Sequence, residues 1–281
     1  MTQLTANGIA IEYERYGADH DETIVLVRGL GTQLIDWPMS FLETLVDRGF
    51  QVIIFDNRDA GLSEKFEGRP AYTLVDMAED IVALMDGLGI GQAHVFGISM
   101  GGMIAQVLAA GHPDRLLSLT SVMSSSGRKG LPGPTPAAAA ALTRETPATA
   151  SEDDIIAATA DDMAVFGSPG YPLDAGERLR LAGERIRRSY CPGGVRRQMA
   201  AVIASGSRVE LLKGITVPTL VIHGADDPLV PLAAGEDTAA CIPGARLVVI
   251  PGMGHDLPPA LVPTIAGLLV DFCQDVTGAP S

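Results

Sequence analysis

Two kinds of hydrophobic pattern alternate along most of the chain. Short apolar runs rich in β-branched residues predict strands buried on both faces of a parallel sheet; they are 23–27, 51–55, 93–97, 116–123, 219–224 and 246–250. Between them, apolar residues recur at helical spacing, at 40–49, 74–89, 103–112 and 259–274. Residues 9–16 alternate apolar and polar positions, which predicts a half-exposed antiparallel edge strand. Strands alternating with helices indicate an α/β sheet with right-handed crossovers.

The alternation of strands and helices stops after about residue 126. A stretch rich in Ser, Gly, Pro and Ala follows, and then helical segments, one of them opened by Ser151 as a predicted N-cap. The strand pattern resumes only near Ile215. We therefore predict a core of residues 1–126 and 211–281, with a helical cap inserted at 127–210. Seven arginines between Arg178 and Arg197 are interpreted as a solvated helix face of this cap.

Composition and charge narrow the classes of function. The 281 residues are 47% hydrophobic, enough for one large core or one domain with an insertion. The formal net charge of −14 disfavours nucleic acid as a partner. The apolar stretches fall short of the ~18 residues of a membrane span, and the N-terminus lacks the pattern of a signal peptide. The three cysteines are widely spaced, without a metal-ligand or disulfide pattern. We expect a cytoplasmic protein that binds neither membranes nor metals.

The strongest chemical signal is the segment VFGISMGG, residues 95–102. It contains the G-x-S-x-G pattern around Ser99, directly after a predicted buried strand and directly before a predicted helix. A sharp strand-to-helix turn needs small residues on both sides of the serine, and it presents the hydroxyl at a helix N-terminus. The other interpretation is a glycine-rich turn with an ordinary N-capping serine. The context favours Ser99 as a nucleophile.

A serine hydroxyl needs a base, and the base needs an orienting acid. Among five histidines, His255 lies in a loop after the last strand run, where it can approach the serine; His223, at the end of a strand, is the alternative. The segment HGADDPLVP offers Asp226 and Asp227 as acids, and both also suit a simple turn. The order serine, acid, histidine along the chain is that of the α/β-hydrolases.

The chain resembles the α/β-hydrolase fold superfamily over nearly its whole length, through GISMGG, FDNRDAGLS (55–63), HGADDPLVP and PGMGH. Within it, the chain is most similar to small-molecule esterases of the aclacinomycin methyl esterase type. The resemblance implies a mostly parallel eight-stranded sheet flanked by helices, with a helical cap. It also favours Asp227 over Asp226, because the family's acid stands three residues after the glycine of its G-x-x-D-x-x-V-P loop.

Acyl transfer creates an oxyanion that needs backbone N–H donors. We expect the amide of Met100 to be one donor, and the amide of Leu30, in the loop RGLGT after an earlier strand, to be the other. Many family members have His-Gly where this chain has Arg28-Gly29. We expect Arg28 to support this loop, paired with a carboxylate such as Asp56, and not to contact the substrate. The glycines are weak evidence for a phosphate-binding loop, because the G-x-G-x-x-G pattern is not completed and no Lys-Ser/Thr pair closes the loop.

The predicted function is hydrolysis of carboxylic esters through Ser99, His255 and Asp227, without a metal or organic cofactor. Bulky natural-product esters and lactones, macrolactones included, are the candidate substrates. Trp37, Met123, Met163 and Phe166 are the candidate pocket residues, with ordinary core packing as an equal alternative. Cleavage of C–C bonds, perhydrolase or haloperoxidase chemistry by the same triad, and a receptor without turnover on the same fold stay open. We expect a monomer or a homodimer.

Overall fold

The predicted strands pair into one sheet in the computed structural model, which describes residues 2–68 and 72–278. Eight strands follow the order β1-β2-β4-β3-β5-β6-β7-β8; β1 and β2 pair antiparallel, as do β2 and β4, and all other pairs are parallel. The predicted fold class is confirmed. The strands are β1 Thr2–Ala6, β2 Ile9–Tyr16, β3 Glu22–Val27, β4 Phe50–Phe55, β5 Ala93–Ile98, β6 Leu116–Val122, β7 Thr219–Gly224 and β8 Arg246–Ile250.

Strand β1 is the one strand that the hydrophobic pattern does not predict. Its sequence, TQLTA, is mostly exposed and has no apolar alternation. It forms because Asn7 and Gly8, both at positive φ (49° and 77°), turn the chain back so that β1 pairs with β2. Two consecutive residues with positive φ are typical of the tight turns that match strand twist. Strand β1 therefore depends on the turn and on its pairing with β2, with only Leu4 and Ala6 packed against the core.

Helices cover both faces of the sheet. Along β3, Val25 and Val27 face a core cluster with α2 and α3, whereas Ile24 and Leu26 face a second cluster with α1 and α10. Such two-sided burial explains the nearly continuous apolar strands. The helices are α1 Met39–Asp47, α2 Leu74–Gly87, α3 Met100–Gly111, α4 Pro136–Leu142, α5 Glu152–Phe166, α6 Ala175–Arg188, α7 Pro192–Ser205, α8 Val209–Leu212, α9 Leu232–Cys241 and α10 Val262–Thr277.

Helices α4 to α7 lie between β6 and β7 in the chain, inside the segment predicted as a cap. The side chain of Ser151 caps α5, as predicted, by accepting a hydrogen bond from the N–H of Asp154. Helices α8 and α9 were not predicted, and α7, which begins Pro-Gly-Gly, carries a weak helical pattern in sequence. The division of the chain into two domains stays a prediction.

The arginines of α6 and α7 are not simply a solvated face, as the sequence interpretation held. Three of them reach loops of the core, forming the pairs Arg185–Asp36 (2.8 Å), Arg188–Asp56 (2.8 Å) and Arg197–Asp59 (2.6 Å). All three carboxylates are buried. The neighbours Arg180 and Arg187 do pair with exposed glutamates on the outer surface. The arginines that face inward therefore tie the two cap helices to the core.

The C-terminal helix is longer and more apolar than expected, since every apolar stretch was predicted to fall short of a membrane span. Together with the turn before it, Pro259–Thr277 is long and apolar enough to cross a membrane by length and composition alone. In the structure, one side of α10 packs into the core through residues such as Ile265 and Leu269. A helix buried in the core of a protein can be equally long and apolar, so these two properties do not assign α10 to a membrane.

We expect His94 to make folding stability depend on pH. His94 belongs to β5, and its buried ring places Nδ1 2.8 Å from the Ser118 hydroxyl. Burial lowers the pKa of His94 to about 4. An unfolded histidine has a pKa of about 6.5, so between these values only the unfolded state binds the proton. The free energy of unfolding should fall as the pH drops from 6.5 to 4, by up to about 3 kcal/mol from this residue. Urea unfolding at pH 7 and pH 4.5 should show a smaller loss for His94→Gln than for wild type. Equal losses would contradict the prediction.

Candidate active site

Ser99 stands at a sharp turn between β5 and α3. Its backbone has φ 54° and ψ −122°, a conformation that L-residues rarely adopt and that is costly unless the surroundings enforce it. The flanking glycines make the turn fit. A Cβ on Gly97 would lie 2.3 Å from the carbonyl oxygen of Gly101, and a Cβ on Gly101 would lie 2.2 Å from that of Val27. The turn thus presents the Ser99 hydroxyl at the N-terminus of α3.

His255 lies in the loop after β8 and contacts both other members of the predicted triad. Its Nε2 is 2.9 Å from Ser99 Oγ, and its Nδ1 is 2.6 Å from Asp227 Oδ2. A carboxylate only accepts hydrogen bonds, so Nδ1 carries the proton and Nε2 is left to accept from the serine. The structure therefore brings together three residues that lie far apart in the sequence, in an arrangement suited to proton transfer from Ser99.

The two neighbouring aspartates do different things. Asp227 Oδ1 accepts hydrogen bonds from the N–H groups of Leu229 (2.9 Å) and Val230 (2.8 Å), which leaves Oδ2 for His255. Asp226 Oδ2 instead accepts from the N–H of Gly252 at 2.8 Å. The turn therefore directs the Asp227 carboxylate at His255, whereas the Asp226 carboxylate holds the loop after β8.

His223, the alternative base, does not face Ser99. It is fully buried, and its Nε2 donates to the carbonyl oxygen of Val230 at 2.7 Å. Burial lowers the pKa of His223, which keeps the ring neutral. Its Nε2 also lies 3.7 Å from Asp227 Oδ2. His223 therefore supports the loop that carries the acid.

The loop after β3 passes directly over Ser99. A Cβ on Gly29 would lie 3.2 Å from Ser99 Cβ and 3.7 Å from Ser99 Oγ, so any side chain at this position would contact the serine. The N–H of Gly31 is occupied by Gln198 Oε1 of the cap at 2.8 Å, whereas that of Leu30 donates to no other residue that the structure describes. Met100, the first residue of α3, has an N–H at the helix end that the helix itself leaves free. The predicted donor Met100 thus directly follows Ser99 in the chain, and the predicted donor Leu30 directly follows Gly29, which packs next to Ser99.

Several residues that brace this loop were not predicted from sequence. Asn57 Nδ2 donates to the carbonyl oxygen of Arg28 at 3.0 Å, and the Thr32 hydroxyl donates to that of Gly29 at 2.9 Å. Gln198 contacts the loop from α7, more than 160 residues away. No local signal identifies such a partner, because its choice depends on how the cap packs.

The expected pairing of Arg28 with Asp56 is wrong. Asp56 is bound by Arg188 of the cap and by the N–H groups of Leu34 (2.7 Å) and Leu62 (2.8 Å). The Arg28 guanidinium lies instead over the ring of Trp37, 4.6 Å from its centroid. Asp56 therefore pairs with an arginine of α6 and not with Arg28.

The four predicted pocket residues fall into two groups. Trp37 and Met123 are buried in the core, where Trp37 stacks on Phe41 with ring centroids 5.8 Å apart. Met163 and Phe166 lie on α5 of the cap and are only partly buried. The carbonyl oxygen of Phe166 accepts a hydrogen bond from the N–H of His255 at 2.7 Å, which places the end of α5 beside the base. The pocket role of these residues stays a prediction.

A second contact between the cap and the His255 loop was also missed. The Ser168 hydroxyl donates to the Asp256 carboxylate and accepts from the N–H of Gly254 at 2.9 Å. Burial raises the pKa of Asp256. The segment after α5 thus holds the residues on both sides of His255, so the position of His255 depends on the residues after α5 as well as on the loop after β8.

No cluster of three or more His, Cys, Asp or Glu side chains suited to a metal ion occurs within residues 2–68 and 72–278.

The sequence of the chain is similar to those of several known hydrolases. A family model described as the α/β hydrolase fold matches residues 22–258. Rhodomycin D methylesterase DnrP of Streptomyces peucetius is 29% identical over 98% of both chains. The 3-oxoadipate enol-lactonase 2 of Acinetobacter baylyi is 30% identical, over 83% of this chain and 82% of its own. These relatives support a carboxylic ester hydrolase.

Among solved structures, a meta-cleavage product hydrolase from Pseudomonas fluorescens IP01 superposes with a TM-score of 0.81 over 98% of both chains, at 22% identity. At that identity the likeness shows the fold alone.

Proposed function

We propose, since the chain belongs to the α/β hydrolase fold family, that it is a serine hydrolase that cleaves carboxylic esters through an acyl-enzyme. The observation that carries the proposal is the chain of contacts from Ser99 Oγ to His255 Nε2 (2.9 Å) and from His255 Nδ1 to Asp227 Oδ2 (2.6 Å). The methylesterase relative supports the ester class, and the enol-lactonase relative supports lactones, which are cyclic esters.

The first half of the reaction forms the acyl-enzyme. Ser99 Oγ attacks the ester carbonyl carbon while His255 Nε2 takes the hydroxyl proton, and Asp227 stabilises the imidazolium. The carbonyl oxygen becomes an oxyanion, to which the N–H groups of Leu30 and Met100 donate. Each such donor is typically worth about 3 kcal/mol in the transition state. His255 then gives its proton to the leaving alkoxide, which departs as the alcohol.

The second half releases the acid. A water molecule attacks the acyl-enzyme carbonyl while His255 takes one of its protons, and the oxyanion again forms beside the amides of Leu30 and Met100. Collapse breaks the bond to Ser99 Oγ, and the serine recovers its proton from His255. The ester and one water molecule become an acid and an alcohol, so the residues of the chain are sufficient for the reaction.

Ser99→Ala is expected to abolish ester hydrolysis. Loss of a triad nucleophile costs about 10⁴-fold or more in kcat, with the residual rate coming from the oxyanion donors and binding. Hydrolysis of p-nitrophenyl butyrate and of a panel of methyl esters and macrolactones should be measured for wild type and variant. Ser40→Ala, an exposed serine on α1, is the matched control and should keep the wild-type rate. Equal rates for wild type and Ser99→Ala would contradict the proposed nucleophile.

The same experiment separates the alternatives. Mass analysis of the products distinguishes ester cleavage from C–C cleavage, and halogenation or peracid formation would indicate the remaining same-triad chemistries. A receptor on the same fold would bind compounds of the panel tightly without turning them over. Single labelling of Ser99 by a fluorophosphonate, with many turnovers of an ester in its absence, is the result expected of the proposed enzyme.

A further inference from the structure

Arg28 is a buried cation that forms no ion pair with a carboxylate of residues 2–68 or 72–278. Its side chain is only 7% exposed. A guanidinium carries five N–H donors, yet the one hydrogen bond that Arg28 makes to a described residue is a long one, from Nε to the Thr32 hydroxyl at 3.4 Å. The contact with the Trp37 ring at 4.6 Å supports the flat face of the guanidinium and leaves its edge free to donate. Most of the hydrogen-bonding capacity of Arg28 is therefore unused.

The carboxylates around Arg28 are committed to other groups. Asp36 accepts hydrogen bonds from Arg185 Nη2 at 2.8 Å and from Arg185 Nε at 3.0 Å, and its other oxygen accepts from the N–H of Gln33 at 2.7 Å. Arg28, Arg185 and Asp36 thus form a cluster with two positive charges and one negative charge. Burying an excess charge is costly unless it is paired. The cluster is complementary to one further negative charge.

The lowered pKa of Arg28 is consistent with a buried charge that is only partly compensated. Burial lowers it to about 10, with Asp36 acting to raise it and Arg185 acting to lower it. Arg28 is therefore still charged at neutral pH.

Arg28 also adjoins the reacting groups. It precedes Gly29, where an added Cβ would lie 3.2 Å from Ser99 Cβ, and Leu30, the proposed oxyanion donor. The Thr32 hydroxyl accepts the hydrogen bond from Arg28 Nε. The same hydroxyl donates a hydrogen bond to the carbonyl oxygen of Gly29 at 2.9 Å. On its other side, the cluster ends at Arg185 of cap helix α6. Arg28 is therefore linked through Thr32 to the loop beside Ser99, and it lies near the Asp36–Arg185 pair that joins this loop region to α6.

We propose that Arg28 binds a carboxylate on the acyl part of the substrate, so that the preferred substrates are half-esters of short dicarboxylic acids. The inference rests on the proposed ester hydrolysis and adds the substrate class. A guanidinium binds a carboxylate through two parallel hydrogen bonds, which positions it as well as neutralising it. Such a contact would fix the ester carbonyl relative to Ser99 and the oxyanion donors.

The test compares two methyl esters of almost equal shape with the wild-type enzyme. Methyl hydrogen succinate carries the free carboxylate, and methyl succinamate replaces it with a neutral amide. We expect kcat/KM to favour the anionic ester by at least about tenfold, the range of a hydrogen bond to a charged group. Equal values, or a preference for the amide, would overturn the role of Arg28. Hydrolysis of neither these esters nor any in the wider panel would instead count against the proposed function itself.

Two variants then assign the preference to Arg28. Arg28→Met keeps an unbranched side chain over Trp37 and should remove the preference, mostly through a higher KM for the anionic ester relative to that for the amide ester. Arg28→Lys keeps the charge without the planar fork and should retain part of the preference. Arg187→Met removes an exposed arginine of the same cap helix, paired only with Glu152 at the surface, and should leave the ratio unchanged.

The variants also separate binding from bracing. If Arg28 only supports the loop over Ser99, Arg28→Met will lower kcat for both esters alike and leave their ratio at the wild-type value, which would overturn the proposal. If Arg28→Met does not fold, the wild-type ratio and the Arg28→Lys ratio decide: a tenfold ratio that falls in the lysine variant supports the proposal, and an unchanged ratio overturns it.

Discussion

Asp227→Asn is expected to lower kcat for ester hydrolysis by about 10⁴-fold, the loss known when the acid of a serine triad becomes an amide. Asp227 Oδ2 now accepts the Nδ1 proton of His255 at 2.6 Å. An asparagine that keeps its oxygen on the N–H groups of Leu229 and Val230 turns its NH₂ toward His255. The imidazole then has to accept at Nδ1 and carry its proton at Nε2, where it cannot take a proton from Ser99.

The neighbouring position provides a matched control. Asp226→Asn makes the same chemical change one residue away, at a side chain that only accepts from the N–H of Gly252. An asparagine oxygen can keep that hydrogen bond, so we expect a kcat within about threefold of wild type. The two variants should be compared for kcat and KM on one good ester, with circular dichroism to show that both are folded. A large loss in Asp226→Asn together with normal activity in Asp227→Asn would reverse the assignment of the acid.

The contrast between the two aspartates also shows what sequence reasoning can reach. The motif around Ser99 and the loop position of His255 point to a nucleophile and a base, because both depend on local features: a buried strand, a tight turn and a following helix. Asp226 and Asp227 share the same local features. Sequence reasoning preferred Asp227 only through the family resemblance, whereas the structure distinguishes them by which carboxylate the turn aims at His255.

Most of the fold was predictable for the same reason. Seven of the eight strands carry their own hydrophobic signal. For β3 to β7 the reason is that a strand buried under helices on both faces is apolar along its length. Strand β8 was wrongly predicted to be buried on both faces: it forms the edge of the sheet, and most of its residues are exposed. Strand β1 was missed because it is held by a hairpin at the sheet edge. The ion pairs Arg185–Asp36 and Arg188–Asp56 were missed because each joins residues more than 130 positions apart. Nothing near either arginine in sequence distinguishes it from its solvated neighbours.

The partner of Arg28 was predicted wrongly for the same reason, because the residues that decide it lie far from Arg28 in the sequence. A buried arginine calls for a carboxylate, and Asp56 is close in the fold, so pairing the two was reasonable from the core sequence alone. The cap helix α6 brings in Arg188 and Arg185, which take Asp56 and Asp36. The cap thereby leaves Arg28 with unused donors, and a residue expected to be purely structural becomes the basis of the proposed substrate preference.

Gly101→Ala is expected to destabilise the fold severely, with a loss of more than about 4 kcal/mol in the free energy of unfolding. The added Cβ would lie 2.2 Å from the carbonyl oxygen of Val27 and 2.7 Å from that of Arg28. Both contacts are backbone, at the end of a central strand and the start of the loop over Ser99, so no side chain can rotate away.

Gly111→Ala, at the other end of α3, is the control for this prediction. A Cβ there meets nothing within 4 Å, and replacing a helical glycine by alanine typically stabilises by about 0.5–1 kcal/mol. Urea unfolding of the two variants should therefore move in opposite directions from wild type, or leave Gly111→Ala unchanged. The folded fraction of Gly101→Ala should also hydrolyse esters poorly, because a shift of α3 away from β3 separates the amide of Met100 from that of Leu30. Wild-type stability in Gly101→Ala would mean that α3 moves freely against the strand, and the close packing that sets the geometry at Ser99 would then need another explanation.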